Sequence, residues 1–167
     1  VLYEESMFDG QKVSKSRIIT SVDYSMVSME AFEIYAANHD IHVMDFVLKL
    51  DAYTYYMMNL LDYLIGNTDR HWGNWGFLVD NRTNQPVRLF DLMDLNQTFL
   101  AYDTPDGANC MTTGNRKMSQ REAAVEAVKK IGLNQRAEIK DEWFKGREKE
   151  REMFWCRFGI LKEQWKA

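Results

Sequence analysis

The chain has 167 residues, of which 46% are hydrophobic and 13% aromatic, and it carries a formal net charge of −4. This composition is typical of one packed globular domain and excludes an intrinsically disordered chain. The acidic balance excludes a general attraction to nucleic acid or an anionic membrane, and no apolar run approaches the roughly 20 residues of a membrane span. The two cysteines, Cys110 and Cys156, are far apart. They predict neither a disulfide framework nor a zinc site, and they favour a cytoplasmic protein.

The first predicted element is a strand from Lys12 to Thr20, in which Val13 and Ile18 are apolar anchors. Residues 1–10 before it are polar and show no periodic pattern. A helix is predicted next, beginning near Asp23 or Ser25 and continuing to about residue 38, because its apolar residues recur at helical spacing.

The best helix of the chain is predicted from Asp51 to Gly66, after a short helix over Met44 to Leu50. Its apolar residues form one broad stripe: Tyr53, Tyr56, Met57, Leu60, Leu61 and Leu64. A stripe of this width faces a core. The sequence therefore predicts a buried helix that ends where the chemically most informative stretch begins.

That stretch reads Asn-Thr-Asp-Arg-His-Trp-Gly-Asn-Trp-Gly over residues 67–76, and a further acid follows at Asp94. Phosphoryl transfer needs an oriented hydroxyl, divalent cations and charge stabilisation on the phosphates. Asp69 is the candidate that accepts or orients the proton of the attacking hydroxyl. Asn74 and Asp94 are the candidate ligands of Mg²⁺, which prefers carboxylate and carbonyl oxygens and keeps several waters.

A hairpin explains how these residues come together. Trp75 to Val79 and Val87 to Phe90 are predicted as strands, joined by a polar turn over residues 81–86. The second strand returns the chain, so that Asp94 is expected beside Asn74. Three ligand-type residues at one end of a hairpin favour a metal site over a solvated surface.

The rest of the chain predicts further helices. One begins at Ser119 or Gln120 and stops at Gly132, and a short one is predicted over Gln135 to Trp143. The final stretch, Glu142 to Ala167, is charged and aromatic, and basic and acidic residues alternate in its part over residues 145–152. This pattern predicts a solvated helix face and not a nucleic-acid contact, because the acids cancel the basic charge.

The stretch over residues 67–76 resembles the catalytic loop of the HipA-like serine/threonine kinases, bacterial proteins of which several belong to toxin–antitoxin modules. That loop reads roughly N-x-D-x-H-x-x-N, so Asp69 matches the catalytic acid and Asn74 the metal-binding amide. Asp94 matches the second metal ligand. The family's proline in that segment is Asp91 here, which makes Asp91 a rival for the metal. The Asp-Arg-His…Asn core also occurs in phosphoinositide-kinase-like enzymes.

The resemblance covers roughly Lys12 to Phe144 and implies a mainly helical, α+β, kinase-like C-terminal lobe. It implies transfer of the γ-phosphate of ATP to a protein serine or threonine with Mg²⁺, and an antitoxin as a partner. It also implies that backbone around Ser16 and Ile18 contacts adenine, although an edge strand without a ligand fits these residues equally. Gln97 to Arg116 would hold the activation segment and substrate platform.

The sequence contains no glycine-rich phosphate loop and no stretch that would form a small N-terminal lobe. We therefore expect residues 1–167 to be a single domain, the C-terminal lobe of a larger protein, and to be a poor catalyst alone. Two residues of the loop have two interpretations each. His71 is either a catalytic base or a packing residue that holds Asp69, and Arg70 contacts either phosphate or an acid of the activation segment.

Three other functions stay open from the sequence. The same lobe can act on a lipid or a small-molecule alcohol, and a strongly basic surface beside the hairpin would favour that acceptor. It can also be an inactive lobe that only binds a partner. A metal-dependent phosphohydrolase would use Asp69 and His71, but it requires additional His or Asp ligands nearby.

Overall fold

The computed structural model describes residues 3–113, 118–133 and 138–166, and within them the fold is α+β. The helices are α1 (Met29–Ala37), α2 (Val43–Ile65), α3 (Gln120–Ile131) and α4 (Glu148–Lys166), with a 3₁₀ helix at Asp141–Phe144. Strands β1 (Tyr3–Phe8) and β2 (Gln11–Ser16) pair antiparallel. A second antiparallel sheet has the order β3-β4-β5, formed by Tyr24–Ser28, Gly76–Asp80 and Gln85–Leu89. The predicted α+β class is confirmed.

The N-terminal hairpin differs from the prediction. The predicted strand over Lys12 to Thr20 begins and ends earlier in the structure, as β2, and β1 was not predicted at all. Asp9 and Gly10 join the two strands with φ values of 49° and 74°. Asp-Gly is the dipeptide that favours this two-residue turn, so the sequence did hold a signal for the hairpin.

The helix predicted from Asp23 or Ser25 is wrong over its first residues. They form β3, whose five residues pair antiparallel with β4. Helix α1 begins only at Met29, where the side chain of Ser28 accepts a hydrogen bond from the Ala31 N–H at 3.2 Å. Pairing with a strand fifty residues later overrides the local helical pattern, and a single sequence does not reveal such long-range pairing.

The predicted break at Asp51 is confirmed as a kink inside α2. Asp51 has φ −156° and ψ 66°, so a short helix precedes it and a longer one follows. One carboxylate oxygen accepts from the Thr54 N–H at 3.1 Å, and the other accepts from the Leu89 N–H of β5 at 3.1 Å. Gly66 ends the helix in the left-handed conformation, with φ 61°. The helix therefore delivers the chain to residue 67 in a fixed direction.

The C-terminal helices agree only in part with the prediction. Ser119 and Glu122 form a capping box at the start of α3, and Gly132 follows its last residue. The helix predicted over Gln135 to Trp143 falls partly on residues 134–137, which lie outside the described residues. In its described part the prediction is wrong, because only the 3₁₀ helix forms there. The last predicted helix is α4.

Helix α2 is the centre of the packing. It contacts α3, α4 and β5, and β4 contacts α1. The largest apolar side chains of this core that are fully buried are Met29, Val47, Met58, Tyr63, Phe77, Leu89, Val128 and Leu161. In the described part of the chain, no helix combines the length and the apolar character needed to cross a membrane.

Candidate functional site

Arg70 is the structural centre of the loop over residues 67–76. Its guanidinium is buried, with 2% of the residue exposed. It forms a two-pronged ion pair with Asp62 of α2, in which Nε and Nη2 donate to the two carboxylate oxygens at 2.9 and 3.1 Å. The sequence interpretations of Arg70, a phosphate contact or an acid of the activation segment, are both wrong: its acid lies on the preceding helix.

The remaining nitrogen of Arg70 joins the two halves of the predicted site. Nη1 donates to the backbone carbonyl of Asn74 at 2.9 Å and to that of Met93 at 2.7 Å. The two carbonyl oxygens therefore lie no farther apart than the sum of these distances. Because Met93 precedes Asp94, this single nitrogen brings the chain at Asn74 and at Asp94 side by side.

Asn67 and Gln120 fix the start of the loop. The Asn67 side-chain amide donates to Asp62 at 2.9 Å, and its side-chain oxygen accepts from the Asp69 N–H at 3.3 Å. Gln120, at the start of α3, donates from Nε2 to the Asn67 backbone carbonyl at 2.5 Å. Two helices thus hold the backbone that carries Asp69, which is the kind of support that keeps a site in one geometry.

Asp69 and Asn74 face each other across the loop. The Asn74 amide nitrogen donates to the Asp69 backbone carbonyl at 2.8 Å and to its carboxylate at 3.3 Å. These bonds turn the side-chain oxygen of Asn74 away from Asp69, and among the described residues that oxygen has no hydrogen-bond donor. The structure brings these two predicted residues together.

Asp94 and its rival Asp91 differ in their partners. Asp91 accepts from Arg88 at 2.6 Å and forms an ion pair with it. The carboxylate of Asp94 has no hydrogen bond or ion pair within the described residues. Asp94 also has a positive φ of 53°, a conformation that costs a non-glycine residue about 1–3 kcal/mol and that clusters at functional sites.

His71 lies at the edge of the loop and is exposed. Its Nδ1 accepts a hydrogen bond from the Gly73 N–H at 3.0 Å. In the neutral ring the proton must then be on Nε2, which is 3.8 Å from an Asp69 carboxylate oxygen. A neutral His71 therefore presents a donor and not a base toward Asp69, which favours the positioning interpretation.

Ser16 and Ile18, the predicted adenine contacts, are not joined to this loop. Ser16 is the last residue of β2 and is exposed, and Ile18 is 80% exposed. No hydrogen bond or ion pair connects either of them with residues 67–76, all of which are described. Their predicted role in nucleotide binding stays a prediction.

The unpaired oxygens of Asn74 and Asp94 fit Mg²⁺, because one is a carbonyl and the other a carboxylate. Within the described ranges no group of three or more His, Cys, Asp or Glu side chains is arranged to hold a metal. A two-ligand site for Mg²⁺ does not require one, since waters and phosphate oxygens complete its shell. A phosphohydrolase centre built on Asp69 and His71 does require further ligands, so this finding weighs against it.

Arg157 is a residue of the site's surroundings that sequence reasoning missed. It is 0% exposed on α4 and donates to the backbone carbonyls of Tyr63, Ala101 and Thr104. Its guanidinium also lies over the ring of Tyr102, 4.5 Å from the centroid. Burial lowers the pKa of Arg157. The residue stands alone in the apolar stretch Met153–Leu161, after the alternating charged run over residues 145–152, and its position in the sequence does not reveal which carbonyls it binds.

A second buried network anchors the segment over residues 109–113. Thr112 donates to the side-chain oxygen of Asn59 on α2, and the Cys110 thiol lies 3.2 Å from the Thr112 hydroxyl. Burial raises the pKa of Tyr55, beside this network, to about 12. The Trp72 indole N–H donates to the Met111 carbonyl at 2.9 Å. The segment is therefore tied both to the core and to the loop.

Comparison with known proteins adds no family to this description. No family model matches the chain, and neither a curated protein sequence nor a solved structure matches it. The resemblance to HipA-like kinases accordingly rests on the residues of the loop and on Asp94 alone.

Proposed function

We propose that this chain is the catalytic C-terminal lobe of a HipA-like kinase that transfers the γ-phosphate of ATP to a serine or threonine of a protein. The observation that carries the proposal is the double hydrogen bond of Arg70, which holds the backbone at Asn74 beside the backbone at Met93, the residue before Asp94. The side chains of Asn74 and Asp94 each keep an oxygen without a protein donor in the described residues.

In this reaction the acceptor hydroxyl oxygen forms a bond to the γ-phosphorus of ATP. The bond between that phosphorus and the β–γ bridging oxygen breaks, and ADP leaves with the electron pair. The Asp69 carboxylate orients the hydroxyl and takes its proton. Asn74 and Asp94 would hold Mg²⁺, which supplies charge neutralisation on the phosphates when it is bound.

His71 acts through Asp69 in this proposal. Its Nε2 proton faces the Asp69 carboxylate, and the bond from the Gly73 N–H fixes the ring. A side chain added at Gly73 would lie 2.8 Å from the His71 ring. The glycine is therefore required for the position of this histidine, and through it for the orientation of Asp69.

The proposal is tested by calorimetric titration of Mg²⁺–ATP into the 167-residue chain. We expect Asp94→Ala to weaken metal-dependent binding by at least about 10–100-fold, because the loss of even a side chain that only orients a metal ligand costs this much. Asp91→Ala is the matched control: it removes a carboxylate three residues away that is already paired with Arg88, and it should bind as the wild type does.

Equal loss of binding in the two variants would mean that Asp91 shares the metal role with Asp94, and loss in Asp91→Ala alone would move that role to Asp91. Metal-independent binding, or unchanged binding in Asp94→Ala, would contradict the proposed site. If the wild-type chain binds no nucleotide, the same titration on the full-length protein decides between a kinase and an inactive lobe that binds a partner.

A further inference from the structure

A cleft of about 700 Å³ opens directly beside the catalytic loop. One wall is the first half of α1, with Glu30 and Glu33. The floor is formed by residues 71–73, and the opposite wall by Asn109, Cys110, Met111 and Thr113. Since His71 belongs to the floor and faces Asp69, the cleft begins where the acceptor hydroxyl is expected.

The walls of this cleft are fixed to the loop. The Glu30 N–H is one of the groups at the start of α1 that have no acceptor within the helix, and it donates to the Trp72 carbonyl at 3.1 Å. On the other side the Trp72 indole donates to the Met111 carbonyl at 2.9 Å. Trp72 thus joins both walls, so the cleft belongs to the same rigid arrangement as the site.

The carboxylates in the described lining of the cleft are those of two glutamates. Glu30 and Glu33 are exposed and lie one turn apart on the same face of α1, where like charges repel. No lysine or arginine lines the cleft among the described residues, and neither glutamate forms an ion pair there. A phosphate-bearing acceptor would meet two carboxylates in this position, whereas a cation would offset their repulsion.

We propose that this cleft binds a lysine or arginine side chain of the acceptor protein, close to the serine or threonine that is phosphorylated. The aliphatic stem of such a side chain would pack along Trp72 and Met111, which is 48% exposed, while its charged end meets the glutamates. The inference rests on the proposed function, because it specifies the acceptor of that same site.

The test measures peptide binding, which does not depend on catalysis. A fluorescent serine peptide with two arginines and its counterpart with two neutral citrullines are titrated into the chain by anisotropy. The variant Glu30→Gln/Glu33→Gln removes the charges, and Glu152→Gln/Glu163→Gln on α4 makes the same net charge change at exposed positions outside the cleft. Thermal melts verify that each variant is folded.

We expect the arginine peptide to bind the wild type more tightly than the citrulline peptide by roughly fivefold to tenfold, as two partly exposed ion pairs allow. The cleft variant should lose this preference and the α4 variant should keep it. An equal affinity for the two peptides, no binding of either, or a preference that survives in the cleft variant overturns the inference.

Titration of Mg²⁺–ATP into the same samples distinguishes a failure of the cleft inference from a failure of the proposed kinase function. Arginine-dependent peptide binding without nucleotide binding, in this chain and in the full-length protein, would keep the cleft assignment and contradict the kinase. Nucleotide binding without a preference for the arginine peptide would keep the kinase and overturn the cleft assignment. Binding to phosphoinositide vesicles that strengthens in the cleft variant would point to an anionic headgroup as acceptor and would overturn the basic-acceptor inference.

Discussion

Substitution of Arg70 tests its two roles, the stabilisation of the fold through Asp62 and the positioning of the backbone at Asn74 and Met93. In Arg70→Met, the Asp62 carboxylate stays buried without its cation, and the carbonyls of Asn74 and Met93 lose their common donor. Breaking a buried pair in this way costs about 3–5 kcal/mol. Against a typical total of about 5–15 kcal/mol, urea unfolding followed by circular dichroism should show a large shift of the midpoint.

The double variant Asp62→Asn/Arg70→Met removes both charges. The new amide keeps an oxygen that can accept from Asn67, so we expect recovery of at least half of the lost stability. The carbonyls of Asn74 and Met93 lack their donor in both variants, so we expect metal-dependent ATP binding to be lost in the single variant and in the double variant. A cost below about 1 kcal/mol for the single variant, or normal nucleotide binding by the double variant, would refute this account of Arg70.

Three further perturbations test the fold around the site. Gly76→Ala should destabilise the chain by at least about 2 kcal/mol in urea unfolding, because the new Cβ would lie 2.1 Å from a carbonyl oxygen of β3. Gly159→Ala on α4 is the control: its new Cβ would meet no atom within 4 Å, and it should not destabilise the chain. Asp51→Ala should cost about 2 kcal/mol through its lost helix cap and its lost bond to the Leu89 N–H, whereas Asp51→Asn should retain most of the cap. Burial raises the pKa of Tyr55 from 10.0 to about 12, so the stability that its neutral form contributes is present below pH 10 and is lost as the pH rises toward 12. Alkaline unfolding should therefore occur at higher pH in Tyr55→Phe than in the wild type. An identical midpoint of alkaline unfolding would contradict this.

Local signals predicted the elements that local chemistry determines. The kink at Asp51, the end of α2 at Gly66 and the cap at Ser119 each depend on a side chain or a glycine that satisfies neighbouring backbone groups, and each was visible in the sequence. Strand β3 was missed because its partner β4 is fifty residues away. The hairpin of β1 and β2 was overlooked although Asp9-Gly10 marks its turn.

The same division applies to the site. The motif singled out Asp69 and Asn74 by their spacing, and in the structure the Asn74 amide donates to both the backbone carbonyl and the carboxylate of Asp69. The buried partner of Arg70 was not predictable from a motif, since Asp62 belongs to the preceding helix and the ion pair depends on the direction in which that helix ends. Arg157 was missed for a similar reason: its partners are backbone carbonyls of Tyr63, Ala101 and Thr104, more than fifty residues earlier in the chain, and only tertiary packing brings them to it.

The central claim is that Asn74 and Asp94 hold a divalent cation together, and nuclear magnetic resonance with Mn²⁺ and ATP tests it most directly. A paramagnetic ion broadens the resonances of nearby nuclei, and the broadening is stronger the closer the nucleus lies to the ion. We predict that Mn²⁺–ATP broadens the Asn74 side-chain amide and the Asp94 N–H first, that Mg²⁺ in excess restores them, and that Asp94→Asn removes the effect. Broadening that begins instead at Asp91 would contradict the claim.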